Sequence, residues 1–376
     1  MARNVVPPRR RGALAAALAA TALAWAGMAG ATALNAGLNE EVVRLRLHGT
    51  LYELETTLFK PAGPGPFPLL VVNHGKGADN VAIALDRGRV RYPTVAHEFV
   101  KRGWLVAVPM RRGFANSDGV LPRPSCDVAG YARREAEDVA GAVNALAARR
   151  DVDPARIVVM GNSAGGMAAV AYAAAPRPGV QAVVSFAGGL RLGGDTSSRC
   201  WPAVLNDAFR TFARADGPPQ LWVYAENDRV FPPAVVRDAF DAFRSAGGRA
   251  ELLVLPALGT DGHDVMTNPE GRERWLPEVL GFLGGLRLPV KPFAGSGFAA
   301  VDQVEAMPAP PACRRQYERY LAERAPKAYA LSRSGRTCSW AARDERAAEK
   351  ALENCRKGAP DCALYAYDDI VVWTEL

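Results

Sequence analysis

The sequence predicts an α/β protein: a mostly parallel, twisted sheet with helices on both faces, followed by a small disulfide-stapled α+β domain at the C-terminus. Three observations carry this. Short apolar runs alternate with helical segments between residues 50 and 286, the pattern of a parallel sheet covered on both sides. One apolar run leads through a glycine-flanked serine into an alanine-rich helix. Near Leu286 the composition changes, and four of the six cysteines fall beyond that point.

The elements follow in chain order. "EVVRLRLHG" and "YELETTLFKP" alternate with period two, as antiparallel strands do. After "PAGPGPFP", the run "LLVVNHGKG" reads as a buried strand ending in a glycine-rich loop. A helix over Pro93 to Arg102 precedes the strand "WLVAVPM", and a long helix runs from about Gly130 to Arg149. Next come "RIVVMGNSAGGMAAVAYAAA", the strand "VQAVVSFAGG", a helix over Trp201 to Arg214 and the strand "QLWVYAEND". The helix "PPAVVRDAFDAFRSAG", the strand "RAELLVLP" and a helix from Pro269 to Leu286 complete the region. The large domain is thus expected over 40–288, a Pro/Gly/Ala-rich linker over 289–309 and the Cys-containing module over 310–376. In the module, helices are expected around Arg314 to Glu323 and over "WAARDERAAEKALENC", with a strand over "CALYAYDDIVVW".

The first residues read as an export signal. Arg3, Arg9, Arg10 and Arg11 precede an uncharged, alanine-rich run, and small residues at Ala31 and Ala33 suit cleavage after Ala33. Residues 1–33 are therefore expected to be removed and the protein to be periplasmic or secreted, with an uncleaved membrane anchor as the alternative. The mature chain has no second hydrophobic span. Without those four arginines the net charge falls from +7 to +3. No basic stripe with interleaved aromatics is present, so a nucleic-acid partner is not expected. Six cysteines, with no C-x-x-C and no clustered histidines, point to disulfides rather than a metal. One bridge is expected between Cys126 and Cys200 and two within the tail.

"GNSAG" fits G-x-S-x-G in the setting that gives the motif meaning, a strand before and a helix after. Ser163 on such a turn projects its hydroxyl above the sheet, and the Ala164 amide at the helix N-terminus can receive an oxyanion. A serine needs a base. The chain has four histidines. His48 on an early strand and His97 in a helix suit surface or packing roles, and His74 suits a brace for the loop "NHGKG". His263, in "LGTDGHDVM", alone follows the serine, as the order serine, acid, histidine demands. Asp228, at the end of "LWVYAEND", is the expected acid, ahead of Glu226, Asp207, Asp216, Asp261 and Asp264. The second oxyanion donor is expected at the Lys76 amide, with Gly77 in reserve. Arg111 and Arg112, in "MRRGFANSDG", are candidates for a substrate carboxylate or an aminoacyl chain, with structural ion pairs as the equal alternative, and Leu190 to Asp216 for part of a cap.

With "PFPLLVVNHG", "VPMRRGFANSDG", "RIVVMGNSAGG", "VYAENDRVFP" and "DGHD", residues 50 to 286 resemble the α/β-hydrolase superfamily, nearest its dienelactone-hydrolase and prolyl-oligopeptidase-like branches. The nucleophile is serine where dienelactone hydrolases carry cysteine, and there is no room for the propeller of prolyl oligopeptidases. The resemblance implies an α/β-hydrolase fold and a serine hydrolase that needs no cofactor. It implies Ser163, Asp228 and His263 as nucleophile, acid and base. The expected substrate is a small ester, with a short peptide as the alternative. The tail resembles small Cys-containing modules on exported bacterial proteins, and an envelope ligand is a candidate partner for it. A non-catalytic binding protein on this scaffold is the rival from another class.

Overall fold

The computed structural model describes, besides Met1, residues 38–61, 63, 65–76, 88–121, 125–191, 201–291, 304, 307, 309–368 and 370–372. The expected signal over 1–33, most of the linker, Gly77 and Cys200 lie outside them.

The chain runs β1 (Glu41–Arg46), β2 (Glu53–Phe59), β3 (Phe67–Asn73), α1 (Pro93–Val100), β4 (Leu105–Pro109), α2 (Val128–Ala147), β5 (Val152–Asn162), α3 (Ala164–Tyr172) and β6 (Val180–Phe186). It continues through α4 (Ala203–Phe212), β7 (Gln220–Ala225), α5 (Pro233–Ser245), β8 (Ala250–Leu255) and α6 (Pro269–Gly285). The tail adds α7 (Pro311–Leu321), β9 (Lys327–Ser332), β10 (Cys338–Ala342), α8 (Ala347–Arg356), β11 (Cys362–Tyr367) and β12 (Ile370–Val371).

The first eight strands form one sheet in the order β1-β2-β4-β3-β5-β6-β7-β8. β2 pairs antiparallel with β1 and β4, and every pair from β4 to β8 is parallel. Alternate residues of the inner strands serve two cores. Leu70, Val72, Val106, Val158 and Met160 join one, and Leu69, Val71, Leu105, Ile157 and Val159 the other. That division is what burial on both faces demands of an apolar run. β2 departs from the half-exposed strand its alternation suggests: Leu54 to Phe59 are all buried. It is not an edge strand, and buried Glu55 accepts hydrogen bonds from the backbone and side chain of Asn116 at 3.1 and 3.0 Å.

The tail forms a separate four-stranded antiparallel sheet, β10-β9-β11-β12. Tyr317, Tyr320, Tyr329, Leu331 and Tyr365 make its core. Two bridges staple it, Cys313–Cys338 and Cys355–Cys362, as expected for the tail. Cys126 is also disulfide-bonded. The segment from Trp340 corrects the expected helix. Trp340 to Ala342 lie in β10, and α8 starts only at Ala347. Arg343, with φ 60°, turns the chain between them, so the helical spacing of alanines begins after the strand.

The described residues from Leu38 onward form one compact unit, and the two sheets meet at α1. Arg91 reaches Glu349 of α8 at 2.6 Å, Thr94 donates to Glu345 at 3.1 Å, and the His97 ring lies 5.5 Å from that of Tyr367. From α6, Arg272 pairs with buried Asp368 at 2.8 Å. Among the described residues no helix is long and apolar enough to cross a membrane.

Candidate active site

The site lies beyond the carboxyl ends of β3, β5, β7 and β8, where open α/β sheets hold their ligands. Ser163 occupies the turn between β5 and α3 with φ 54° and ψ −121°. Such a backbone is strained for a residue with a side chain. Its neighbours explain how the turn fits. A Cβ at Gly161 would meet the Gly165 carbonyl oxygen at 2.2 Å, and one at Gly165 would meet the carbonyl oxygens of Asn73 and His74 at 2.3 and 2.4 Å. Only hydrogens fit there, so α3 can start hard against β3 and the serine is lifted clear of the sheet.

Three side chains separated by 100 and 35 positions converge. His263 Nε2 is 3.0 Å from Ser163 Oγ, and His263 Nδ1 lies 3.1 and 3.2 Å from the two oxygens of Asp228. Asp228 is 3% exposed and accepts the Val230 and Phe231 amides, each at 2.8 Å. Those bonds and the imidazole account for a carboxylate buried without a cation. His263 sits in a short 3₁₀ turn whose first amides are caught by Asp261, which accepts from His263 N at 3.0 Å and from Arg229 N at 3.1 Å. Asn227 binds the Leu258 amide at 2.9 Å and the Leu258 carbonyl at 3.0 Å. Asp261 and Asn227 thus stitch the acid loop to the base loop. Sequence reasoning weighed Asp261 only as a rival acid and did not reach Asn227.

The loop after β3 forms the opposite wall. Pairing of Asn73 with Gly161 across β3 and β5 brings His74, Gly75 and Lys76 beside the serine. His74 braces the loop, as expected. Its Nδ1 donates to the Gly75 carbonyl at 2.7 Å and its Nε2 accepts from the Arg111 amide at 3.1 Å. Burial, reinforced by the Arg111 cation, holds its pKa well below the usual imidazole range, so the ring is neutral. His97 is buried against the tail and its pKa is pushed down to about 3, chiefly by burial. His48 lies exposed just past β1 rather than on a strand.

Of the two readings of the arginines, the structure takes the ion pairs. Arg111 is 1% exposed. It donates to the His74 carbonyl at 2.6 Å and pairs with buried Glu135 at 3.1 Å. Arg112 pairs with Asp138 and Glu137. Neither lines the cavity. Both cations are held by acids of α2, Arg111 by Glu135 and Arg112 by Asp138 and Glu137. Of the expected cap, Leu190 and Arg191 line the cavity. Helix α4 instead buries Leu205, Phe209 and Phe212 in the main core.

The cavity above Ser163 encloses about 580 Å³. Among the described residues its wall includes Tyr92, Phe114, Asn162 and Phe231, three cations, Lys76, Arg191 and Arg229, and one exposed carboxylate, Asp264. Lys76 is half-buried, and burial lowers its pKa, partly offset by Glu135. No group of residues suited to a metal occurs among the described residues.

The X-Pro dipeptidyl-peptidase (S15) family matches over residues 49–222. No curated protein sequence matches the chain. Among solved structures it is similar to a putative dienelactone hydrolase from Klebsiella pneumoniae, at 18% identity over 65% of this chain and 98% of that one, with a TM-score of 0.45. It is similar to esterase 2 of Thermogutta terrifontis bound to propionate, at 20% identity over 68% and 97%, with a TM-score of 0.48. It is also similar to dipeptidyl peptidase 4 of Porphyromonas gingivalis, at 18% identity over 62% of this chain but 35% of the peptidase, with a TM-score of 0.46. The strand order, the serine on its turn after β5 and the family match agree with an α/β-hydrolase fold.

Proposed function

We propose that the protein is an exported serine hydrolase that cleaves small carboxylic esters through an acyl-enzyme on Ser163. The observation that carries this reading is the 3.0 Å contact from His263 to Ser163, with Asp228 on the other ring nitrogen. His263 Nε2 takes the hydroxyl proton as Ser163 Oγ bonds to the ester carbonyl carbon. Asp228 fixes the tautomer and stabilises the imidazolium. The oxyanion is received by the Ala164 amide, which has no acceptor within α3, and by the Lys76 amide. Each such donor contributes roughly 3 kcal/mol. Collapse expels the alcohol, which takes the proton from His263. Water, deprotonated by the same ring, then attacks the acyl carbon and frees Ser163.

The S15 match favours a peptidase as the second reading. An enzyme that holds a peptide's terminal ammonium needs carboxylates in its cavity. Among the described residues, three cations against Asp264 suit an uncharged or anionic ester better. Export is supported by the basic and alanine-rich start and by tail disulfides, which persist in oxidising compartments. An envelope ligand for the tail is not part of this proposal.

The test is labelling by a fluorophosphonate, then a panel of short acyl esters against aminoacyl anilides. The expected result is labelling of wild type but not of Ser163→Ala, with ester turnover. Turnover of anilides alone would install the peptidase reading. Folded protein that resists the probe would leave a binding protein on a hydrolase scaffold.

A further inference from the structure

Among the described residues of the cavity wall, Tyr92 is the one, besides Ser163, with a side chain and a left-handed backbone: φ is 48° and ψ 54° at the N-cap of α1. A bulky residue persists in that conformation only where its surroundings over-determine it. Its ring is 8% exposed. It lines the cavity beside Gly75, Asn162 and Ser163, and burial pushes its pKa up to about 12 against the Gly75 amide and the Asn162 side chain, which favour the phenolate. Gly75 precedes the proposed oxyanion donor and Asn162 precedes the nucleophile, so a shift of the phenol is felt on both sides of Ser163.

The residues that hold Tyr92 come from the tail. Thr94 and His97 share a face of α1, and Arg91 precedes its N-cap. All three meet the small domain: Arg91 at Glu349, Thr94 at Glu345 and His97 at Tyr367. Arg91 is also held by Glu40, whose side chain is fully buried. The opposite face, Val95, Ala96 and Phe99, enters the main core. Glu345 has one oxygen buried with no hydrogen-bond partner. A carboxyl kept so is poor value for stability alone. We propose that the C-terminal domain is a working part of the active site: Glu345 and Glu349 are positioning residues that clamp Arg91 and Thr94 and thereby hold Tyr92 against Gly75 and Asn162.

The inference rests on the serine-hydrolase reading, so its test measures fluorophosphonate labelling of Ser163 in the full chain, whatever the natural substrate. The double variant Thr94→Val with Glu349→Gln is expected to label roughly tenfold more slowly, the scale of a small misplacement at a reacting centre, with its melting transition retained. In a Tyr92→Phe background the same pair of changes is expected to alter the rate less than about twofold, because coupled sites are not additive. Thr94→Ser, which keeps the hydroxyl, restores the rate. A merely structural role would slow both backgrounds alike. Full-rate labelling of the folded double variant, or an equal fall in both backgrounds, overturns the proposal. Should the double variant fail to fold, Glu349→Gln alone is read by the same criteria. An unlabelled wild type would instead refute the hydrolase reading and this inference with it.

Discussion

The eight-stranded sheet and the four-stranded sheet differ in what holds them together. The large one has strands buried on both faces, with helices over two apolar cores. The small one has a core of tyrosines whose hydroxyls need partners, as Tyr320 finds at the Asp368 carbonyl and Tyr329 at the Cys313 carbonyl, both at 2.6 Å. It adds two disulfides, and it leans on the large domain through ion pairs. A chain of about 65 residues buries too little apolar surface to rely on it alone. The large domain can therefore carry strain at Ser163. The small one depends on covalent staples and its neighbour.

Three perturbations bear on that contrast. The largest effect belongs to the large sheet: Asp228→Asn is expected to lower kcat by about 10⁴-fold by disturbing the tautomer of His263, with melting almost unchanged, as steady-state kinetics and calorimetry will read. The next belongs to the small sheet. Cys313→Ser with Cys338→Ser removes a bridge spanning 25 residues and is expected to cost about 2–4 kcal/mol. An early transition in denaturant, with the large sheet's circular dichroism intact, would mark the small domain as the separate, weaker unit; one unsplit transition would erase the contrast.

The smallest concerns the seam. Burial raises the pKa of Glu345 to about 7, opposed first by its bond from Thr94, and that of Asp368 to about 6, opposed first by Arg272. Each carboxyl binds its proton more tightly folded than unfolded. The folded chain thus holds more protons above pH 4.5, and stability falls as pH rises to about 7. His97 works oppositely: with its pKa near 3 against an ordinary 6.5, it costs stability as pH falls below 6.5. Glu345→Gln is expected to raise Tm at pH 8 by roughly 2–4 °C and to give no gain at pH 4.5. Equal gains at both would show that the carboxyl is not desolvated.

Chain order and strand ends made Ser163, Asp228 and His263 legible, because the geometry needs each at a strand's carboxyl end and only one histidine follows the serine. For Arg111 and Arg112 the sequence left substrate contact and ion pair open, because charge in a loop says nothing of burial. The signal that would have placed them was Glu135 and Asp138, three residues apart on one face of a long helix, opposite two successive arginines. Tyr92 was beyond reach. Nothing local favours a left-handed tyrosine, and the contacts around it come from residues some 250 positions away. The start of α8 was missed because β10 is held in its sheet by pairing with β9, which local helical spacing cannot report.

The stitching of residues 227–229 to 258–263 also bears on how the protein can be redesigned. One carboxylate and one carboxamide tie the two loops through backbone atoms, so the pair forms a single cassette. An insertion or transplant in either alone would break bonds to the other and carry the imidazole out of line. New specificity is better sought across the cavity, around Arg191, which among the described residues touches the base loop only through the rings of Trp201 and Phe231.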